Sequence, residues 1–103
     1  MTDSEFLDLS EQVFQRIDQA IEAADLDTDL MIHEGVMEIE FADGQKIIVN
    51  RHLPNREIWI AARSGGFHFH YQQGEWVDTR DQVSFWARLA ALVSAAAGEA
   101  FDF

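Results

Sequence analysis

The apolar residues of this chain change their spacing twice. Phe6, Leu9, Val13, Ile17, Ala20 and Ala24 recur every three or four positions, the stripe of an amphipathic helix. Through the middle of the chain the period drops to two. In "VMEIEF", Met37, Ile39 and Phe41 take one face and Glu38 and Glu40 the other. Near the end the helical spacing returns with Phe85, Leu89, Leu92 and Ala96. A helix-period segment does not settle as a strand, nor the reverse, so this pattern restricts the fold severely.

Turn signals punctuate the middle. "LMIHE" reads as a weak first strand, and Asp43-Gly44 marks a hairpin between "VMEIEF" and "KIIVN". A loop around Pro54 leads to "EIWIAAR". Gly65-Gly66 is expected to turn that strand into "FHFHYQ", and Gln73-Gly74 leads into "EWVD". The first helix is expected from about Ser4 to Ala24, with Thr2 and Glu5 at capping-box spacing. The second runs from about Ser84 to Ala97, with Gly98 past its end. The expected fold is α+β: a two-layer sandwich, with N- and C-terminal helices packed on one face of an antiparallel sheet. Residues 1–103 are expected to form a single domain, with the other sheet face meeting solvent or a partner.

Composition narrows the function. No cysteine is present, which excludes disulfides, thiolate metal sites and cysteine catalysis. No apolar run approaches the roughly 20 residues of a membrane span, and "MTDSEF" lacks the basic and apolar regions of a secretory signal. A soluble, cytoplasmic monomer is expected. Nineteen acids against seven Lys and Arg give a net charge of −12. Such a surface repels nucleic acid and anionic membranes and attracts cations or basic proteins.

The acids are not spread evenly. On a helical wheel Asp8, Glu11, Asp18, Glu22 and Asp25 fall within an arc of about 100°. Along the helix that row runs for roughly 25 Å. Asp27 and Asp29 continue it towards Glu34, and Arg16 is the only basic side chain among residues 1–45. Glu22 follows Asp18 by four residues, a self-repelling spacing, and the acids crowd the helix end that favours cations. Carboxylates suit hard or borderline cations. With only His33 nearby as a nitrogen donor, exposed, water-rich and weakly selective sites are expected, not a closed cage. The same row could dock a basic protein patch, and a plain solvated face is the competing reading.

The sheet carries a second candidate. Ile58 and Ile60 share the inward phase, which places Trp59 outward with Glu57 and Ala61. An aromatic on an open face is a common binding anchor, and Asn50 and Arg51 are expected to rim it. Trp76 and Trp86 are expected in the core, and His68 and His70 are expected to be solvated. Ser64 lies in "ARSGG", not a nucleophile elbow, and "SGG" lacks the lysine and helix of a phosphate loop.

The stretch "NRHLPNREIWIAARSGGFHFHY" resembles the signature of the frataxin family in its bacterial form. The matching positions are Asn50, Arg51, Pro54, Trp59, Ala61, Ser64, Gly65, Gly66, Phe67 and Phe69. "SEFLDLSEQVF" and "SFWARL…AG" extend the resemblance over essentially the whole chain. It implies a non-enzymatic, iron-binding regulator of iron–sulfur cluster assembly that binds the cysteine desulfurase and, with it, the scaffold protein. It implies weak Fe2+ or Fe3+ sites on an acidic ridge of Asp18, Glu22, Asp25, Asp27 and Asp29, with Asp3, Asp8 and Glu11 upstream. Partner contacts are implied for Asp8, Glu11, Asp18, Glu22, Asn50, Arg51 and Trp59. Gln19 and Ala23 stand where close relatives often carry further acids. Two alternatives stay open. One is a ferroxidase that stores iron, although the chain has no Glu-x-x-His of the di-iron type. The other is an acidic decoy without metal dependence.

Overall fold

The computed structural model describes all residues, Met1–Phe103. Helix α1 (Asp3–Ala24) leads into β1 (Thr28–His33), β2 (Val36–Phe41) and β3 (Lys46–His52). A 3₁₀ turn over Leu53–Asn55 precedes β4 (Glu57–Ala62), β5 (Gly65–Gln72) and β6 (Glu75–Asp78), and α2 (Phe85–Ala97) follows. The six strands pair in chain order as one antiparallel meander. Both helices cover the same face of it.

Local chemistry starts and stops each helix. Thr2 accepts from the Glu5 amide while the Glu5 carboxylate accepts from the Thr2 amide, the reciprocal box the spacing predicts. The Glu5 hydrogen bonds hold its carboxyl below the usual carboxylate range. Asp25 ends α1 in the left-handed region at φ 54°, and Gly98 ends α2 at φ 73°. Ser84 caps α2 by accepting from the amides of Trp86 and Ala87.

The core lies between the layers. Met37, Ile39, Val49, Ile58, Ile60 and Phe69 from the sheet meet Phe6, Val13, Phe14, Ile17, Phe85, Leu89 and Val93 from the helices, all at most 3% exposed. The buried arc of α1 is turned by about 50° from the expected stripe. Ser10, Phe14 and Ile21 are buried, while Ala20 is half-buried and Ala24 exposed. Phe14 and Ile21 remove far more apolar area from water than two alanines, so they set the helix's roll. In α2 Val93 is buried, and Leu92 and Ala96 are only half-buried. The turn expected at Gly65-Gly66 falls instead on Arg63-Ser64. The two glycines already pair in β5 with Ala62 and Ala61.

Trp76 is buried and meets Phe6 and Tyr71 edge-on. Trp86 is only half-buried, which corrects its expected core placement: Arg16 lies 4.1 Å over its ring and Phe103 packs 5.1 Å away. The tail folds back along α2, where the Phe101 amide donates to Ser94 Oγ at 3.0 Å. Asp78 is buried. It accepts from the Arg80 amide at 2.7 Å and faces the Arg80 and Arg88 guanidinium groups, each at 3.7 Å.

Arg51 ties sheet to helix. Its stem lies over Gly35, where an added Cβ would stand 2.9 Å from Arg51 Nε. Gly35 and Gly44 both have positive φ, but nothing lies within 4 Å of a Cβ at Gly44. Alanine at either costs about 1–2 kcal/mol of backbone strain. Gly35→Ala is expected to cost about 1 kcal/mol more, because it also displaces Arg51 from α1. Urea unfolding of the two variants measures the difference, and equal losses would show that the Arg51 contact carries no weight.

Candidate functional site

The last turn of α1 carries no basic residue. Asp18 and Glu22 project from the exposed side of the helix, Asp25 caps it, Asp27 occupies the turn and Asp29 enters β1. All five are exposed, and none forms an ion pair with Lys or Arg. Asp8 is likewise exposed and unpaired, whereas Asp3 meets Arg56 at 2.6 Å and Glu11 meets Arg51 at 3.7 Å. The acidic row therefore has two parts. Its upstream end touches the chain's own cations, and its downstream end from Asp18 to Asp29 has none.

The sheet extends that downstream end. Hairpin register sets Asp29 directly opposite Glu40, on the open face. Like charges in that position repel. Asp27, Asp29 and Glu40 line a shallow depression of about 230 Å³ beside Gly44. Lys46, opposite Glu40, turns to Glu38 at 2.7 Å. That hydrogen bond, with the charges of Glu38 and Glu40, raises the lysine above its usual range. Sequence reading missed Glu40, although the alternation of β2 and the spacing of the first hairpin contain the information. Glu34 sits at the far end of β1, about 17 Å from Asp29 along the strand.

No group of three or more histidine or carboxylate side chains is drawn together tightly enough to hold a metal ion. The donors are nevertheless hard, exposed and uncompensated, so they fit a cation that keeps most of its water. Each ion would take one or two carboxylate oxygens. Asp18, Glu22, Asp25, Asp27 and Asp29 are a ribbon of separate donors, not one cage.

On the open face Trp59 lies between two imidazoles. The His52 ring stacks on it at 4.1 Å and 10°, and the His68 ring at 4.4 Å and 13°. Trp59 Nε1 donates to Glu57 Oε1 at 2.7 Å. The expected anchor is thus a half-buried, three-layer stack, and His68, expected to be simply solvated, is a layer of it. His70 is half-buried with its Nε2 shielded and unpartnered. Asn50 pairs with Trp59 across the strands, and the two line a shallow depression of about 410 Å³ with Val36, Ile48, Ala61 and Gly66.

Arg51 does not rim Trp59. Strand alternation sends it to the helix side, where Nη1 reaches Ser10 Oγ at 3.4 Å and its guanidinium lies 5.7 Å from the Phe14 ring. The sequence placed Asn50 and Arg51 together, but adjacent residues on a strand face opposite ways.

The charge pattern generates a stability prediction. Asp29→Asn relieves the Asp29–Glu40 repulsion and is expected to stabilise the fold by about 0.2–1 kcal/mol in dilute buffer. The gain shrinks as salt screens the pair. Thermal unfolding at low and high ionic strength tests it, and a loss of stability at low salt would refute it.

Known proteins are similar to this chain in sequence and fold. The family model of the frataxin-like domain matches residues 1–99. The iron-sulfur cluster assembly protein CyaY of Dechloromonas aromatica is 54% identical over 101 residues, covering 97% of this chain and 96% of that protein. The CyaY of Chromobacterium violaceum is 52% identical, covering 100% and 98%. Among solved structures, frataxin from Psychromonas ingrahamii superposes with a TM-score of 0.93 at 33% identity, over 99% of this chain and 97% of that one. Trimeric yeast frataxin complexed with ferrous iron gives 0.71 at 28% identity, over 92% and 87%. The chain belongs to the frataxin family, as a member of its bacterial CyaY branch.

Proposed function

We propose that this chain is a non-catalytic, iron-responsive regulator of iron–sulfur cluster assembly, acting in the cytoplasm as a monomer. Its relatives of about half identity over the full length are named for that assembly process, which supports the general role. The observation that carries the finer reading is the run Asp18, Glu22, Asp25, Asp27 and Asp29, with no lysine or arginine against it.

In this reading iron is cargo, not a resident cofactor. Fe2+ or Fe3+ settles on one or two carboxylates at a time and retains water elsewhere. The ferrous complex of a yeast relative supports such binding. The same carboxylates dock a basic face of the cysteine desulfurase, where opposite charge steers encounter. Asp8 adds to the docking strip, while Glu11 is shared with Arg51. Trp59 and Asn50 contact the scaffold protein through the open sheet face, with the imidazole stack presenting a flat, pre-ordered surface. Iron bound on the ridge neutralises the charge that docking needs, which makes the interaction iron-dependent. Arg51 has a positioning role only, because it faces α1.

Charge reversal tests this reading. Asp18→Lys combined with Glu22→Lys is expected to weaken desulfurase binding at least about tenfold, a loss of about 1.4 kcal/mol. It is also expected to abolish Fe2+-induced NMR shifts along residues 18–29. Trp59→Ala is expected to spare iron binding and weaken the scaffold complex. Calorimetry with each purified partner reads both effects, and unchanged affinity together with unchanged iron shifts would overturn the proposal.

A further inference from the structure

The two edges of the sheet are treated differently. Beyond β6 the chain doubles back. Ser84 forms a bridge with Val77, and the Asp78 amide donates to the Val83 carbonyl at 2.8 Å. That edge is closed. Beyond β1 there is no further strand.

The backbone of β1 is set out for pairing. Glu34 and Gly35 both have positive φ, which makes a two-residue type I′ turn between β1 and β2. The residues flanking such a turn exchange both hydrogen bonds, and the ladder alternates from there. Asp29, Met31 and His33 therefore direct their amides and carbonyls to β2. Leu30 and Ile32 direct theirs outward. The side chains there are also uncovered: Met31 is 63% exposed on one face of the edge and Ile32 is 51% exposed on the other. A regular strand with an unpaired backbone and apolar side chains on both faces is a template for an added strand.

Charge selects the occupant. Asp27, Asp29 and Glu34 flank the two apolar residues, and Glu40 stands behind Asp29. An antiparallel second copy would bring two surfaces of net charge −12 together and set these acids against their equivalents. A basic strand meets the opposite sign instead, at Asp29 and Glu40 on the open face. We propose that β1 is a docking edge for an extended segment of a partner protein in which Lys or Arg alternates with apolar residues. The segment joins the sheet antiparallel or parallel to β1, pairs with the outward amides of Leu30 and Ile32, and lays its cations on the open face against Asp29, with Glu40 behind it and Asp27 just before the strand. The acids blunt the edge against acidic chains and other copies while leaving it open to basic ones. This deepens the reading of the ridge as a basic-partner surface and rests on that reading for the partner's sign of charge.

A peptide of alternating Lys and Val, with a Glu-Val counterpart, probes the edge of the intact protein. The Lys-Val peptide is expected to slow hydrogen exchange of the Leu30 and Ile32 amides at least about tenfold. The Glu-Val peptide is expected to leave them unchanged. Ile32→Pro removes an outward amide and no ladder bond, so it is expected to keep the fold and weaken the Lys-Val peptide at least about tenfold. Binding without amide protection, no binding, or protection by self-association in the absence of peptide would each overturn the proposal. Should Ile32→Pro fail to fold, exchange in the unsubstituted protein still decides. Ile32→Pro retains every ridge carboxylate. If it binds the desulfurase normally while the Asp18→Lys, Glu22→Lys variant does not, strand addition fails and ridge docking stands.

Discussion

The hydrophobic core of this molecule lies on one side of one sheet. Two helices lay Phe6, Phe14, Ile17, Phe85 and Leu89 on Met37, Ile39, Val49, Ile58, Ile60 and Phe69. Each such side chain contributes about 1.5–3 kcal/mol when fully withdrawn from water. A chain of this size has room for one core of this kind. The period-two alternation of the strands then follows as a requirement, since every second residue must face the helices. What is left over, the outer side of α1 and the open face of the sheet, is available for charge and recognition.

The leftover surface is organised by the same geometry. The α1 C-terminus, the turn after it and the start of β1 are consecutive in sequence, so their acids form a continuous strip without any long-range design. Glu40 joins because β2 pairs with β1 in register. Repulsion along the strip is tolerated because the core beneath is complete. Arg51 shows the opposite arrangement. It is a basic residue next in sequence to Asn50 of the open face, but it is turned inward to link Ser10, Glu11 and Phe14 to the sheet.

Much of this is legible in the sequence alone. Periodicity, the Thr2–Glu5 box and the Asp43-Gly44 turn gave the element order, and the wheel gave the acidic row. Three departures share a cause. The roll of α1, the half-burial of Trp86 and the imidazole layers on Trp59 depend on which bulky groups meet across the chain, and spacing along one segment does not record that. Phe103 reaches Trp86, and His52 and His68 reach Trp59, only once strands and tail are folded together. The inward turn of Arg51 follows from alternation alone: Val49 faces the core, so Asn50 faces out and Arg51 faces the helices.

The three tryptophans fall in three separate districts of the molecule. Trp76 is in the core, Trp86 lies beneath Arg16 and the C-terminal tail, and Trp59 is flanked by imidazoles on the open face. Indole emission depends on its immediate surroundings. The protein thus carries its own spectroscopic labels: one for global unfolding, one for detachment of the tail, and one for the covering of the sheet, each separable by replacing the other two indoles with phenylalanine.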